Sequence, residues 1–218
     1  MSGMVLALSG ADRHKLAATH VRLLIKGNNS AVYDMKRFVD LVLSGLGLLV
    51  AWPFMIVIAA AIRATSKGPA IFVQDRVGRN EAVFKCLKFR TMVTGSPNIA
   101  SHDASTSWIT PVGKFLRRTK LDELPQLINV LLGQMSIVGP RPCLPSQTEL
   151  IGQRRARGVF SLRPGITGPA QIAGIDMSDP VRLAKADAEY VQDHSLAGDV
   201  RIMILTVVGS GGGDAVAR

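Results

Sequence analysis

Between Leu41 and Ile62 the chain carries 22 residues without a charge, LVLSGLGLLVAWPFMIVIAAAI. As a straight helix they would reach ~33 Å, against a bilayer hydrocarbon core of ~30 Å. A segment this long and apolar must be either a membrane element or the inside of a core. Pro53 stands in its middle, where a proline removes a backbone hydrogen bond and kinks a helix. Lys36 and Arg37 precede the run and Arg63 and Lys67 follow it. Basic flanks collect on the cytoplasmic side of a membrane. Both flanks satisfy that preference if the segment enters the bilayer, turns at Trp52-Pro53 and returns. A buried hairpin inside a soluble core is the weaker alternative.

The rest of the composition agrees with a lipid surface. Hydrophobic residues make up 47% of the 218 residues and the formal charge is +10, with a mean hydropathy of +0.24. Apolar and basic together point to anionic lipid. Nucleic acid is not expected as a partner: aromatics are 5%, and no zinc-finger, basic-zipper or RNA-recognition signature is present. Cys86 and Cys143 form no CxxC pair, so neither a disulfide framework nor a zinc site is expected, and a reducing compartment fits. The four histidines are scattered. Any metal is therefore a hard cation held by oxygen ligands.

Three regions follow: an N-terminal extension over 1–34, the re-entrant membrane helix over 35–67, and a cytosolic catalytic domain with interfacial helices over 68–218. In the extension, ADRHKLAATHVRLLIKG reads as a weak helix ending at Gly27, with GNNS a loop. AIFVQDRV and VFKCLKF read as two strands around a GRNE turn, the second studded by Lys85, Lys88 and Arg90. Residues 93–110 read as a polar surface loop. TPVGKFLRR starts a short helix. Leu124, Leu127, Ile128, Leu131, Leu132 and Met135 mark one face of another, with Pro125 in its first turn. SLRPGITGPAQIAG reads as a Gly/Pro-rich connection and DPVRLAKADAEYVQDH as an exposed helix. DVRIMILTVV is too short to span. It is either an interfacial helix or a final core helix. The fold class is α/β, mostly helical with a small β-hairpin.

Asp122 and Glu123 stand side by side between a basic cluster (Arg117, Arg118, Lys120) and the apolar helix. A helix start and nearby cations favour a carboxylate in its charged form, which suits a nucleophile or a Mg²⁺ ligand. The same place suits a phosphate. A carboxylate attacking a phosphoryl group needs these parts together, with a metal to screen two anions. Acids in a first helical turn are most often plain caps. A paired-carboxylate glycosidase is disfavoured because sequence neighbours on a helix diverge.

VQDRVGRNEAVFKCLKFRTM, KFLRRTKLDELPQLINVLLGQMSIVGPRP and LRPGITGPAQ, in that order, resemble the bacterial sugar transferases, the monotopic phosphoglycosyl transferases. The resemblance covers about residues 35 to 208. It implies transfer of a sugar-1-phosphate from a UDP-sugar, an N-acetylated or modified hexosamine being the expected donor, to a polyprenol (undecaprenyl) phosphate with release of UMP. It makes Asp122 the nucleophile and Mg²⁺ ligand and gives Glu123 a proton-handling role. It gives Arg117 and Arg141 phosphate contacts and, more weakly, Lys88, Arg90 and Thr167 phosphate or nucleotide contacts. It matches Leu41–Ile62 to the family's kinked membrane helix and places the protein on the cytoplasmic face of a bacterial inner membrane. Many relatives have Ser-Pro at the kink, where this chain has Trp52-Pro53. PAQIAGID also departs from the family's usual continuation after RPGITG, in a region that the resemblance places at the sugar or nucleotide. Four further membrane helices of larger relatives are not matched, so the chain resembles the minimal type. A non-catalytic basic membrane adaptor on the same fold is the competing reading.

Overall fold

The computed structural model describes the backbone of residues 10–96 and 106–208, with side chains over 33–96 and 107–208. Two compact units divide the chain, Met1–Phe38 and Val39–Arg218. Helix α1 (Gly10–Thr65) does not end at Gly27, and the segment read as a GNNS loop is helical. A single glycine costs a helix only ~1 kcal/mol, and no proline stands nearby to stop propagation. Within Tyr33–Thr65, a 33-residue helical stretch, the most apolar window has a mean hydropathy of 2.4 and only 6% of it is buried. The soluble-core alternative fails on that exposure. Leu49, Val50, Phe54 and Val57 all face outward, as side chains on a possible membrane anchor do. Pro53 lies inside the helix.

A β-hairpin follows, β1 (Ile71–Val77) and β2 (Val83–Phe89), antiparallel with Ile71 opposite Phe89 and Val77 opposite Val83. Its turn contains a 3₁₀ segment, Arg79–Glu81, with Asn80 and Glu81 at positive φ. The hairpin is the spine of the module. Val77 joins a cluster with Cys143, Leu150, Leu183 and Ala184. Phe84 and Cys86 pack with Val130 and Met135. Phe89 packs with Ile62 and Leu116, against the end of α1. The loop read over 93–110 lies outside the described residues at 97–105. Its flanks are drawn together by a bridge between Met92 and Ile109.

Helix α2 (Pro111–Thr119) starts at Thr110, whose hydroxyl accepts from the Gly113 amide at 2.9 Å. Helix α3 (Gln126–Leu131) departs from its expected pattern. Gln126, Asn129 and Val130 are buried, while Ile128, Leu131 and Leu132 are exposed. The apolar stripe read over Leu124–Met135 thus faces outward for much of its length, which a lipid-facing surface permits. RPGITG is more than a connection. Within it β4 (Gly165–Thr167) pairs in parallel with β3 (Ser136–Val138), and α5 (Pro169–Ile172) follows. A side chain at Gly165 or Gly168 would overlap the Gly139 backbone, so these glycines permit backbone-to-backbone contact.

Helix α4 (Thr148–Ala156) lies between the two strands of this pair in the chain. Helix α6 (Pro180–Asp193) is not the exposed helix expected: it buries Leu183, Ala184, Asp187, Ala188 and Tyr190. The polar Asp187 obscured a helical face in the sequence. Helix α7 (Leu196–Val207) buries Asp199 alone, with Val200, Ile204 and Val207 outward. A helix with that exposure is not a fully buried core helix.

Candidate active site

The two acids owe their placement to a sharp change of direction. Lys120 closes α2 in the left-handed region, at φ 58°, a conformation that costs a non-glycine residue energy and recurs at functional sites. The chain then enters a 3₁₀ turn, Leu121–Glu123, and passes through Pro125 into α3. Asp122 is buried to 7% exposure. Glu123 Oε1 accepts from Lys88 Nζ at 3.0 Å and from Arg141 Nη2 at 2.8 Å. The three side chains are between 14% and 18% exposed, so water screens these contacts only partly.

Four predicted residues therefore share one place: Asp122, Glu123, Lys88 and Arg141. Arg117, in the last turn of α2, donates from Nε to Thr91 Oγ1 at 2.9 Å, while its buried Nη1 has no hydrogen-bond partner among the described residues. Arg90 is engaged elsewhere. It donates to Ser66 O at 2.9 Å and Ser66 Oγ at 2.7 Å, tying the end of α1 to the hairpin. Its Nε is buried without a hydrogen-bond partner among the described residues, as Arg117 Nη1 is. Thr167 is buried and shares a 2.7 Å hydrogen bond with Thr206 of α7, while its carbonyl accepts from Gly139 N at 2.9 Å. It supports the segment leading to Arg141. Trp52 lines an apolar cleft of about 440 Å³ with Met55, Ile71, Phe89 and Ile128, among others. The cleft runs beside α1 and adjoins the strand that carries Lys88.

Several residues that shape the site had no sequence signal. Asn129 accepts from Leu87 N at 3.0 Å and donates to Lys85 O at 2.7 Å. It holds α3 against β2 and so fixes Lys88 relative to Glu123. Asp40, one residue before the uncharged run, accepts from Ile137 N at 2.9 Å and Ser136 Oγ at 3.1 Å. It pins that helical segment to β3, which runs directly into the Gly139-Pro140-Arg141 segment. Cys86 is buried beneath the charged cluster. Burial pushes its thiol up, and the charges of Lys88, Arg76, Glu123 and Arg141 act on it.

Chemically, a buried carboxylate stands beside a second one held by two cations. No group of three or more His, Cys, Asp or Glu side chains converges among the described residues. A zinc-type ligand set is thus not formed there. Mg²⁺ needs only one or two carboxylates when substrate phosphates and waters complete its shell, so Asp122 with an incoming diphosphate fits that ion.

A profile of the family described as bacterial sugar transferase matches residues 31–210. The chain is 41% identical over 183 residues to a UDP-glucose:undecaprenyl-phosphate glucose-1-phosphate transferase of Klebsiella pneumoniae, covering 79% of this chain and 39% of that protein. It is 38% identical over 186 residues to a Streptococcus agalactiae galactosyl transferase, covering 79% and 41%. A protein of Caulobacter vibrioides with the same name as the Klebsiella relative is 38% identical over 186 residues, covering 81% of this chain and 70% of that one. The chain spans about two fifths of the length of the first two.

Proposed function

We propose that this chain, which belongs to the bacterial sugar transferase family, transfers a sugar-1-phosphate from a UDP-sugar to a polyprenol phosphate at a membrane, in polysaccharide synthesis. The observation that carries this is the buried Asp122 beside a Glu123 held by Lys88 and Arg141. An adaptor has no use for such a cluster. The names of the Klebsiella and Caulobacter relatives support undecaprenyl phosphate as acceptor and glucose as the sugar. The hexosamine expected from the resemblance draws no support from these names.

In this reading an Asp122 oxygen attacks the sugar-bearing phosphorus of the donor. The bond to the UMP oxygen breaks and UMP leaves with the electron pair, giving an aspartyl phosphosugar. An oxygen of the polyprenol phosphate then attacks the same phosphorus and the acyl-phosphate bond returns to Asp122 as a carboxylate. Glu123 takes the acceptor's proton when the acceptor arrives protonated. Arg141 and Arg117 orient phosphate oxygens, and Arg117 Nη1 brings a buried donor with no partner yet. Bound Mg²⁺ would supply charge neutralisation between two anions. The anchor is read as entering from the cytoplasmic face of an inner membrane, bending at Trp52-Pro53 and returning, which keeps an acid-bearing domain beside a lipid substrate.

The test is UMP release from a panel of UDP-sugars with undecaprenyl phosphate, together with intact mass after donor alone. Wild type is expected to gain one sugar-phosphate mass at Asp122, with UDP-glucose the preferred donor. Asp122→Asn is expected to gain none and to lose turnover while remaining folded. An active Asp122→Asn protein would exclude the covalent route.

A further inference from the structure

Arg141 reaches Glu123 from an unusual piece of backbone. Pro140-Arg141-Pro142 has one amide N–H in three residues, because proline contributes none, and Pro142 restricts Arg141 to extended conformations. Such a strap is positioned mainly by what its carbonyls accept. All three accept. Pro140 O takes the Gly165 amide at 2.9 Å, Arg141 O takes Arg154 Nη1 at 2.8 Å, and Pro142 O takes Arg76 Nη1 at 2.9 Å. The two side-chain donors are both buried arginines from other elements, α4 and β1.

Arg154 is the more constrained. Its Nε and Nη2 both donate to Asp187 Oδ2 of α6, at 2.9 and 2.6 Å, with side chains 2% and 0% exposed. The remaining oxygen, Asp187 Oδ1, is buried without a partner among the described residues. A buried ion pair with an unsatisfied oxygen is a poor source of stability. Desolvation offsets its attraction, and an apolar pair of similar volume often serves as well or better. What an apolar pair cannot do is donate to the Arg141 carbonyl.

We infer that Arg154, oriented by Asp187, is a positioning residue that sets Arg141 against Glu123. The chain of contact runs from Asp187 to the Arg154 guanidinium, to the Arg141 carbonyl, and through that residue's own side chain to the acid turn. The inference rests on the transfer proposed above for its kinetic readout, and the experiment therefore has a second readout that needs no turnover.

The test is a cycle on the full chain in lipid nanodiscs. The double substitution Arg154→Met/Asp187→Leu removes both charges together, so neither is left buried alone. Arg154→Lys with Asp187 retained is the second variant, since one ammonium cannot reproduce the fork that reaches both partners. Each is measured in wild-type and Arg141→Ala backgrounds. We expect either variant to lower kcat/KM roughly 10-fold or more, the equivalent of a lost hydrogen bond to a charged group, with the melting temperature kept in at least one of them. In the Arg141→Ala background neither variant should lower kcat/KM further. Site-resolved phenylglyoxal labelling should show Arg141 modified faster in both variants than in wild type. Wild-type kcat/KM in both variants overturns the inference. So does an equal further loss in both backgrounds, or activity that falls only in step with melting temperature. A wild type that releases no UMP defeats the proposed transfer alone. The labelling then decides the positioning role, and unchanged Arg141 reactivity overturns it.

Discussion

Glu123→Gln removes one charge and almost no volume, so its effect isolates the electrostatics of the acid turn. Lys88 Nζ and Arg141 Nη2 contact the same oxygen at 3.0 and 2.8 Å, so the two cations lie no more than about 6 Å apart. At an effective dielectric constant near 20 their repulsion is then about 3 kcal/mol or more, and each gross attraction to the carboxylate about 5–6 kcal/mol. Desolvation of three partly buried groups cancels much of that attraction, and removing one partner of such a cluster typically costs about 3–5 kcal/mol. The lower end applies here because each side chain keeps some contact with water. We expect Glu123→Gln to lose about 3 kcal/mol, or roughly 6–12 °C in melting temperature for a chain of this size. Adding Lys88→Met to Glu123→Gln should recover at least half of the loss, because the new amide then faces one cation. Lys88→Met alone should cost only about 1 kcal/mol, since Arg141 still holds the acid. Thermal unfolding of all four proteins in lipid nanodiscs is the assay. If Lys88→Met lowers stability as much in the Glu123→Gln background as in wild type, the two cations do not share one carboxylate and the reasoning fails.

Asp40→Ala takes the acceptor from the Ile137 amide, while the Ser136 hydroxyl keeps the Val138 carbonyl, and should cost about 1–3 kcal/mol; Asp40→Asn, which keeps an acceptor oxygen, should lose less, and equal melting temperatures for the two would refute the tie. Burial pushes Cys86 and Cys143 above the ordinary thiol value of 9.0. Because the unfolded chain releases those protons first, their contribution is complete below pH 9 and is lost as pH rises through the folded values. A Cys86→Ala/Cys143→Ala protein should therefore show a flatter alkaline stability limb than wild type, and parallel limbs would exclude the thiols as its cause. Pro53→Leu restores an amide and removes the ring clash, so part of the population should span. Thiol labelling from outside intact cells at a Ser30→Cys position, with Cys86 and Cys143 removed, should then appear in Pro53→Leu and be absent with Pro53 intact.

The hairpin was legible because its alternation and its turn are local properties, and register follows from them. The outward apolar face of α3 was legible as a stripe but not as a surface. Periodicity gives the face of a helix, whereas the side that meets the core depends on what lies opposite. Here Asn129 takes the inward position because Leu87 N and Lys85 O lie there and require partners. The same limit explains α6. Asp187 at the centre of its buried face reads as a solvent signal until Arg154, 33 residues earlier, is known to meet it. The β3–β4 pair was illegible for another reason. Each strand is three residues long, too short for any period, and the glycines that allow the approach read only as punctuation.

For the site, adjacency in sequence delivered the two acids but could not say which groups serve them. Lys88 and Arg141 come from 35 residues before Glu123 and 18 after it. Their convergence depends on Asn129 fixing the hairpin and on Gly165, Arg154 and Arg76 fixing the proline strap. Arg90, just past the end of β2, carries the same charge as Lys88, yet its Nη2 is held by Ser66. Charge alone thus does not identify a substrate contact. Arg90 and Arg117 each keep one buried guanidinium nitrogen without a partner among the described residues, Nε and Nη1 respectively, and they differ in what their other nitrogens hold: Ser66 at the end of α1 for Arg90, and Thr91 for Arg117.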